Sequence, residues 1–146
     1  MVKYEEYRQH TEELLLAALE AADPGTAVRR FLLRQDHNLQ IGDINFDLGQ
    51  GRVFVVSVGK AALPMAEAAS AVLQDDLYAA SVISKRGGLD GEKSPLEAHP
   101  HAQLMVGSHP VSGEDSVQAT AEVIKRLGET ADNDLVLCLI SGGASA

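Results

Sequence analysis

The first third of the chain consists of short amphipathic segments. Residues 4–22 place tyrosine, leucine and alanine at helical spacing, with glutamates on the remaining positions, which predicts a long amphipathic helix. Asp23-Pro24 pairs an N-cap carboxylate with proline at the first helical position, which predicts a second helix ending near Gln35. Apolar and polar residues then alternate over 39–41 and 44–48 around Gly42-Asp43, which predicts a small β-hairpin.

Beyond Gly51 the pattern changes to apolar strands separated by helical segments. Strands are predicted at 53–56, 80–83, 103–106 and 135–140, and helices at 61–73 and 114–127. This alternation indicates a parallel sheet with crossover helices. The stretch from Lys85 to His101 is rich in glycine and proline, which predicts an irregular loop there. The predicted fold is a three-layer, Rossmann-like α/β domain with an open, mainly parallel sheet, preceded by the N-terminal helices and the hairpin.

Each of the four predicted strands ends in a serine beside small, basic or helix-breaking residues. In a parallel sheet all four endings fall on the carboxyl edge, where ligands of open α/β sheets bind. We therefore expect hydroxyls, backbone N–H groups and cations to converge there. The four endings are Ser57-Val58-Gly59-Lys60, Ser84-Lys85-Arg86-Gly87-Gly88, Ser108-His109-Pro110 and Ser141-Gly142-Gly143.

Composition narrows the functional classes. A length of 146 residues suits one domain, and the net charge of −9 with 4% aromatic residues and no tryptophan argues against nucleic-acid binding. The longest apolar run is far shorter than the roughly 20 residues of a membrane helix. These features predict a cytoplasmic protein that binds neither nucleic acid nor membrane. The single cysteine, Cys138, lies in an apolar run and is expected to be a small buried hydrophobe. No Cys/His cluster has zinc-ligand spacing.

The residues alone leave the roles at this edge open. Lys60 would oppose a helix dipole unless an anion were bound, but it could equally be an exposed lysine whose stem packs on the sheet edge. The Ser141-to-Ser145 loop could cradle a phosphate or carboxylate, or be a plain strand-to-helix turn. His109 could bind substrate or pin its loop. Lys85 and Arg86 are interpreted as a solvated loop end.

Two common phosphate motifs are absent. A Walker loop needs a glycine five residues before the Gly-Lys pair and a hydroxyl residue after it, whereas this chain has Phe54 and Ala61. Gly59 is the only glycine of the first strand-to-helix turn, so the dinucleotide fingerprint is also missing. A nicotinamide cofactor bound in the usual way is therefore disfavoured.

An ordered set of segments resembles the N-terminal domain of the glycerate 2-kinase family, a two-domain family sometimes labelled hydroxypyruvate reductase. The resemblance covers essentially the whole chain. The segments that carry it are Val55 to Ala62, the Ser84-Lys85 strand end, His109-Pro110-Val111 followed by Glu114 and Ser116, and Leu137 to Ala146.

The resemblance implies transfer of a phosphoryl group from ATP to the 2-hydroxyl of D-glycerate, with magnesium, in a cleft between this domain and a C-terminal domain. It implies that Lys60 is an active-site cation and that Ser141 to Gly143 is a ligand-binding loop. No residue of this chain is assigned to a metal. The predicted site has Lys60 as the catalytic residue, and its substrate- or phosphate-binding residues are Ser57, Gly59, His109, Ser141, Gly142, Gly143 and Ser145.

Under this hypothesis residues 1–146 form one α/β domain that lacks its C-terminal partner, and the chain alone is expected to be inactive. A domain cut at this point exposes apolar surface, which favours self-association into a homo-oligomer. Two alternatives remain open. The chain could be a non-catalytic α/β binding or assembly remnant, or it could belong to a hydroxypyruvate reductase.

Overall fold

A computed structural model describes residues 4–89 and 93–145 of the chain. Its helices are α1 (Tyr4–Ala21), α2 (Pro24–Phe31), α3 (Ala62–Leu73) and α4 (Glu114–Leu127), and short 3₁₀ turns cover Gln74–Asp76 and Pro95–Ala98. Its strands are β1 (Leu32–Gln35), β2 (Asn38–Ile41), β3 (Ile44–Asp47), β4 (Val53–Val58), β5 (Leu77–Lys85), β6 (Ala102–Gly107) and β7 (Leu135–Ile140). Among the described helices, none is long and apolar enough to cross a bilayer.

The main sheet is parallel and has the strand order β6-β5-β4-β7. Alternate residues of β4 point to opposite faces of this sheet. Val53 and Val55 join the core that contains α3, whereas Phe54 lines a cavity together with residues of α4. Helices therefore lie on both faces, and the predicted three-layer α/β fold with an open parallel sheet is confirmed.

The second helix is shorter than predicted. Asp23 caps α2 by accepting a hydrogen bond from the Thr26 N–H at 2.6 Å, as the Asp-Pro signal indicates. The helix nevertheless ends at Phe31, not near Gln35, because Leu32–Gln35 pairs antiparallel with β2. The hairpin of β2 and β3 is confirmed, but it belongs to a three-stranded sheet whose first strand was not predicted.

Several other boundaries differ from the prediction. The strand expected at 80–83 is β5, which extends over Leu77–Lys85. The loop after it contains the 3₁₀ turn Pro95–Ala98, whose Ser94 cap accepts from the Leu96 N–H. Positions 90–92 of that predicted loop lie outside the described residues.

Two apolar surfaces are more exposed than the sequence suggests. The predicted first helix forms, yet no residue of α1 is buried, and Leu14 and Leu19 remain largely exposed. Cys138 was expected to be buried and is exposed. Leu137 and Leu139 point into the core, so Cys138 between them points to the opposite face of β7. Helix α4 contacts β6, at the far edge of the sheet from β7, and this explains why Cys138 is exposed.

Candidate functional site

The chain reverses its direction across the sheet between β4 and β7. From β4 the connections run to β5 and β6 on one side, and the connection through α4 then returns to β7 on the other side. The crevice at the carboxyl ends of such a strand pair is the usual ligand position in open α/β sheets. The turn after β4 carries Gly59 and Lys60, and the loop after β7 carries Ser141 to Gly143.

Backbone hydrogen bonds hold these two loops together. The Ser141 N–H donates to Val58 O at 3.0 Å, and the Lys60 N–H donates to Gly142 O at 3.0 Å. Gly59 has a φ of 116°, and a Cβ there would lie 2.6 Å from the Ser141 carbonyl oxygen. The close approach of the two loops therefore requires glycine at position 59.

The serine hydroxyls beneath this crevice support the same arrangement. Ser141 Oγ accepts a hydrogen bond from the Ala61 N–H at 3.0 Å, at the start of α3. Ser57 is fully buried, and its Oγ donates to Ala62 O at 2.7 Å. Both hydroxyls fix the position of the first turn of α3, and Ser57 does not reach the crevice surface.

Lys60 and His109 converge above Gly143. Gly143 has a φ of 89°, and a Cβ there would lie 3.3 Å from Lys60 Cγ, 3.4 Å from Lys60 Cε and 3.5 Å from His109 Cε1. The absence of a side chain at this position lets the lysine stem and the imidazole lie against the loop. Lys60 is exposed, and within the described residues its ammonium has no carboxylate partner.

The same groups line a pocket of about 60 Å³ at the carboxyl edge. Three of the four strand endings contribute to it directly, and β7 contributes through its following loop. Its charged and titratable lining residues are Lys60, Lys85 and His109, and none of the described residues that line it is a carboxylate. A chain with a net charge of −9 thus presents a cationic pocket at this edge, which suits a small anion.

The loop that carries His109 is fastened to the first turn of α4. The Ser108 N–H donates to Ser116 Oγ at 2.9 Å, and a Cβ at Gly113 would lie 2.8 Å from Ser108 Oγ. The His109–Pro110 peptide bond is cis. Ser116 therefore sets the position of the imidazole without needing to touch a ligand.

The structure brings together only part of the predicted site. Gly59, Lys60, His109 and Gly143 line the pocket. Ser141 and Gly142 lie beside it and bond the turn after β4, whereas Ser57 lies underneath it and Ser145 is exposed outside its lining. Of the loop's N–H groups, those of Ser141 and Ala144 bond to carbonyls within the chain, while those of Gly142 and Gly143 have no partner among the described residues.

Sequence reasoning missed four polar residues of the pocket. Ser84 and Lys85 end β5, and Ser116 and Thr120 lie one helical turn apart on α4. The serine at the β5 end was a usable signal, but Lys85 was interpreted as a solvated loop end. Ser116 was noted only among the segments that carry the family resemblance and Thr120 not at all, because their approach to the edge depends on how α4 crosses the sheet.

The residues of this chain do not by themselves fit a magnesium site. Within residues 4–89 and 93–145, no three His, Cys, Asp or Glu side chains are grouped to hold a metal ion. The pocket donors are ammonium, imidazole, hydroxyl and N–H groups, which bind anions and not hard cations.

Comparison with known proteins shows the family of this chain. Residues 10–146 match the model of a family described as a domain of unknown function, DUF4147. The chain belongs to this family. It is 32% identical over 134 residues to D-glycerate 2-kinase of Thermotoga maritima, covering 92% of this chain and 28% of that protein. It is 34% identical over 138 residues to glycerate kinase of Danio rerio, covering 89% of this chain and 27% of that protein.

Solved structures show the same relationship for this DUF4147 domain. The crystal structure of glycerate kinase from Thermotoga maritima superposes with a TM-score of 0.71 at 28% identity, covering 95% of this chain and 29% of that chain. A protein from Pyrococcus horikoshii superposes with a TM-score of 0.77 at 28% identity, over 98% of this chain and 30% of that chain. The resemblance to the glycerate 2-kinase family is confirmed.

Some relatives have a different name, and the curated relatives are much longer than this chain. A relative from Agrobacterium vitis, 30% identical over 95% of this chain, is named a hydroxypyruvate reductase. This chain spans little more than a quarter of the length of the curated relatives that it matches.

Proposed function

We propose that this domain forms one wall of a glycerate kinase site, in which a phosphoryl group passes from ATP to the 2-hydroxyl of D-glycerate and gives 2-phosphoglycerate. The observation that carries the proposal is the cationic pocket at the β4–β7 crevice, in a chain whose relatives are named glycerate kinases. Phosphoryl transfer depends on cations and N–H groups already in position to meet the charge on the migrating group.

Within this proposal each group has a distinct role. The Lys60 ammonium meets the charge on the transferred phosphoryl group, and the free N–H groups of Gly142 and Gly143 bind an anionic oxygen of either substrate. His109 is the pocket residue able to accept the proton that leaves the 2-hydroxyl as the new oxygen–phosphorus bond forms. Magnesium brought by the nucleotide would neutralise phosphate charge, and the described residues of this chain offer it no group of ligands.

The site is proposed to be completed by a further domain, as expected from the share of the relatives that this chain spans. A matched pair of assays tests this. A full-length protein of the family should form 2-phosphoglycerate from D-glycerate and ATP, while the 146-residue chain should not. Turnover by the 146-residue chain alone would contradict the shared site, and a full-length protein without kinase activity would contradict the function.

Two further measurements address the alternative functions. Calorimetric titration of D-glycerate and ATP into the chain and the full-length protein separates a working site from a non-catalytic binding remnant, for which neither ligand should bind. NADH oxidation with hydroxypyruvate tests the reductase name carried by the Agrobacterium vitis relative. We expect none, because the turn after β4 has Gly59 as its only glycine.

A further inference from the structure

Ser84, at the carboxyl end of β5, has a buried hydroxyl beside the cationic pocket. The residue is 2% exposed, and its Oγ has no hydrogen-bond partner among the described residues. A buried hydroxyl without a partner destabilises the folded state, so folded proteins keep few of them. Ser84 also lines the pocket that holds Lys60 and His109.

The loop after β5 packs against the Ser84 hydroxyl, which has no hydrogen-bond partner among the described residues. Gly88 lies directly against Ser84, so that a Cβ at position 88 would collide with Ser84 Oγ. The turn is closed by its own backbone, since the Gly88 N–H donates to Lys85 O at 2.8 Å. The described part of this loop therefore covers Ser84 without offering its hydroxyl a hydrogen-bond partner, and Ser84 also lines the pocket.

Two other buried serines of the same sheet show that burial alone does not leave a hydroxyl without a partner beside the pocket. Ser57 is equally buried, but its Oγ donates to Ala62 O at 2.7 Å. Ser81 is 1% exposed and also lacks a partner among the described residues, but it does not line the pocket. Ser84 alone of the three combines a free hydroxyl with a place in the cationic pocket.

We propose that Ser84 is a ligand-binding residue, whose hydroxyl donates to an anionic oxygen of a bound carboxylate or phosphate while Lys85 adds its positive charge. The inference rests on the proposed function for the kind of ligand, a small anion at this edge. It gives the end of β5 a ligand-binding role beside the loops after β4, β6 and β7. Glycerate offers the carboxylate and ATP the phosphate, and the test separates these sources.

The test compares Ser84→Ala with Ser81→Ala in the 146-residue chain. Midpoints of thermal unfolding are measured without ligand, with inorganic phosphate and with D-glycerate, against chloride at the same ionic strength. Both variants remove an unpartnered buried hydroxyl, so both should unfold at or above the wild-type midpoint without ligand. Only Ser84→Ala should lose the stabilisation by the anion, with an affinity lower by about tenfold, since hydrogen bonds to charged groups are stronger than neutral ones.

The outcomes separate the inference from the proposed function. Loss of stabilisation by glycerate alone assigns Ser84 to the carboxylate, and loss with phosphate alone assigns it to a phosphoryl group; both support the inference. Equal stabilisation of Ser84→Ala and Ser81→Ala by both anions overturns it while leaving the cationic pocket intact. A wild-type chain that neither anion stabilises contradicts the anion site and the Ser84 role together. If Ser84→Ala does not fold, Ser84→Cys keeps the shape with a weaker donor and should show the same loss.

Discussion

At the amino end of the parallel sheet Arg52 and Asp134 satisfy each other, whereas at the carboxyl end Lys60 and Ser84 line a pocket and lack such partners among the described residues. Asp134 accepts hydrogen bonds from the Arg52 and Ala131 N–H groups, both at 2.8 Å, and pairs with the Arg52 guanidinium at 2.6 Å. At the opposite edge, Lys60 has no carboxylate partner and Ser84 no acceptor among the described residues. The ion pair of Arg52 and Asp134 thus closes the amino end of β4 and β7, while these two carboxyl-edge groups are left open to a ligand.

The cavities at the two ends differ in charge in the same way. The cavity near the amino end, about 120 Å³, is lined by Glu122 and Glu129 as well as by Lys125 and Arg126. The pocket at the carboxyl end is lined by Lys60, Lys85 and His109, with no carboxylate from the part of the chain that the structure describes. A lining with charges of both signs has little preference for charged ligands, whereas a lining with positive charges favours anions. The carboxyl edge is therefore the end of the sheet that favours an anionic ligand.

Removal of Lys60 should produce the largest change. In a full-length protein of the family, Lys60→Ala should lower kinase turnover by about 10²- to 10³-fold, equivalent to about 2.7–4 kcal/mol, because a positioned donor to the transferred group is lost. Steady-state kinetics with D-glycerate and ATP measure this. Lys125→Ala, which changes the cavity at the other end, is the matched control and should leave turnover near wild type.

A turnover of Lys60→Ala within about threefold of wild type would contradict the active-site role of the lysine. That threshold is well below the effect expected for a transition-state donor. Circular dichroism of the variant should match wild type, because Lys60 is exposed and none of its side-chain polar atoms bonds to another described residue.

Two glycines of the carboxyl edge should differ in their tolerance of a side chain. Gly59→Ala should lower the free energy of unfolding by about 2 kcal/mol or more, because position 59 has a φ of 116° and a Cβ would approach the Ser141 backbone. Gly142→Ala should change it by less than about 0.5 kcal/mol, since no atom lies within 4 Å of a Cβ there. Urea denaturation measures both, and equal effects would refute the close contact between the two loops.

The closed network at the amino end should show itself in the pH dependence of stability. The Arg52 guanidinium holds the pKa of the Asp134 carboxyl well below its usual range, and the Ala131 and Arg52 N–H groups lower it further. A depressed folded-state pKa stabilises the fold above the unfolded-state value of about 3.9, and this contribution is lost as the pH falls below it toward the folded-state pKa.

Asp134→Asn should therefore have a lower urea midpoint than wild type at neutral pH, and the difference should shrink as the pH falls below about 4. The exposed neighbour Asp132→Asn serves as the control and should follow wild type at each pH. A difference that stays constant from neutral to acidic pH would show that the carboxylate charge is not what stabilises this end.

The sequence pattern was sufficient for elements whose signal is local. The apolar run 135–140 is β7, and the helical spacing over 114–127 is α4, with both bounds as predicted. The carboxyl-edge cluster was also predictable, because parallel strands bring their ends together. The end of α2 was not, since Leu32–Gln35 becomes a strand only through its pairing with β2.

The rest of the site could not be predicted from the sequence, because it depends on which groups surround each side chain in the fold. Ser57 and Ser84 have the same type of position in the sequence, a serine at the end of an apolar strand. The Ser57 hydroxyl donates to Ala62 O, whereas the Ser84 hydroxyl has no partner among the described residues and Ser84 lines the pocket, a difference that depends on the loops above them. The exposure of Cys138 likewise depends on which strands α4 covers.

The most direct test of the account is where inorganic phosphate binds on the 146-residue chain. Backbone amide chemical shifts, recorded during a phosphate titration with ionic strength held constant, report on both ends of the sheet at once. We predict the largest changes at Gly59, Lys60, Ser84 and Gly143, with little change at Arg52 and Asp134. Changes that are spread evenly over the sheet, or that are centred on Arg52 and Asp134, would contradict an anion site at the carboxyl edge.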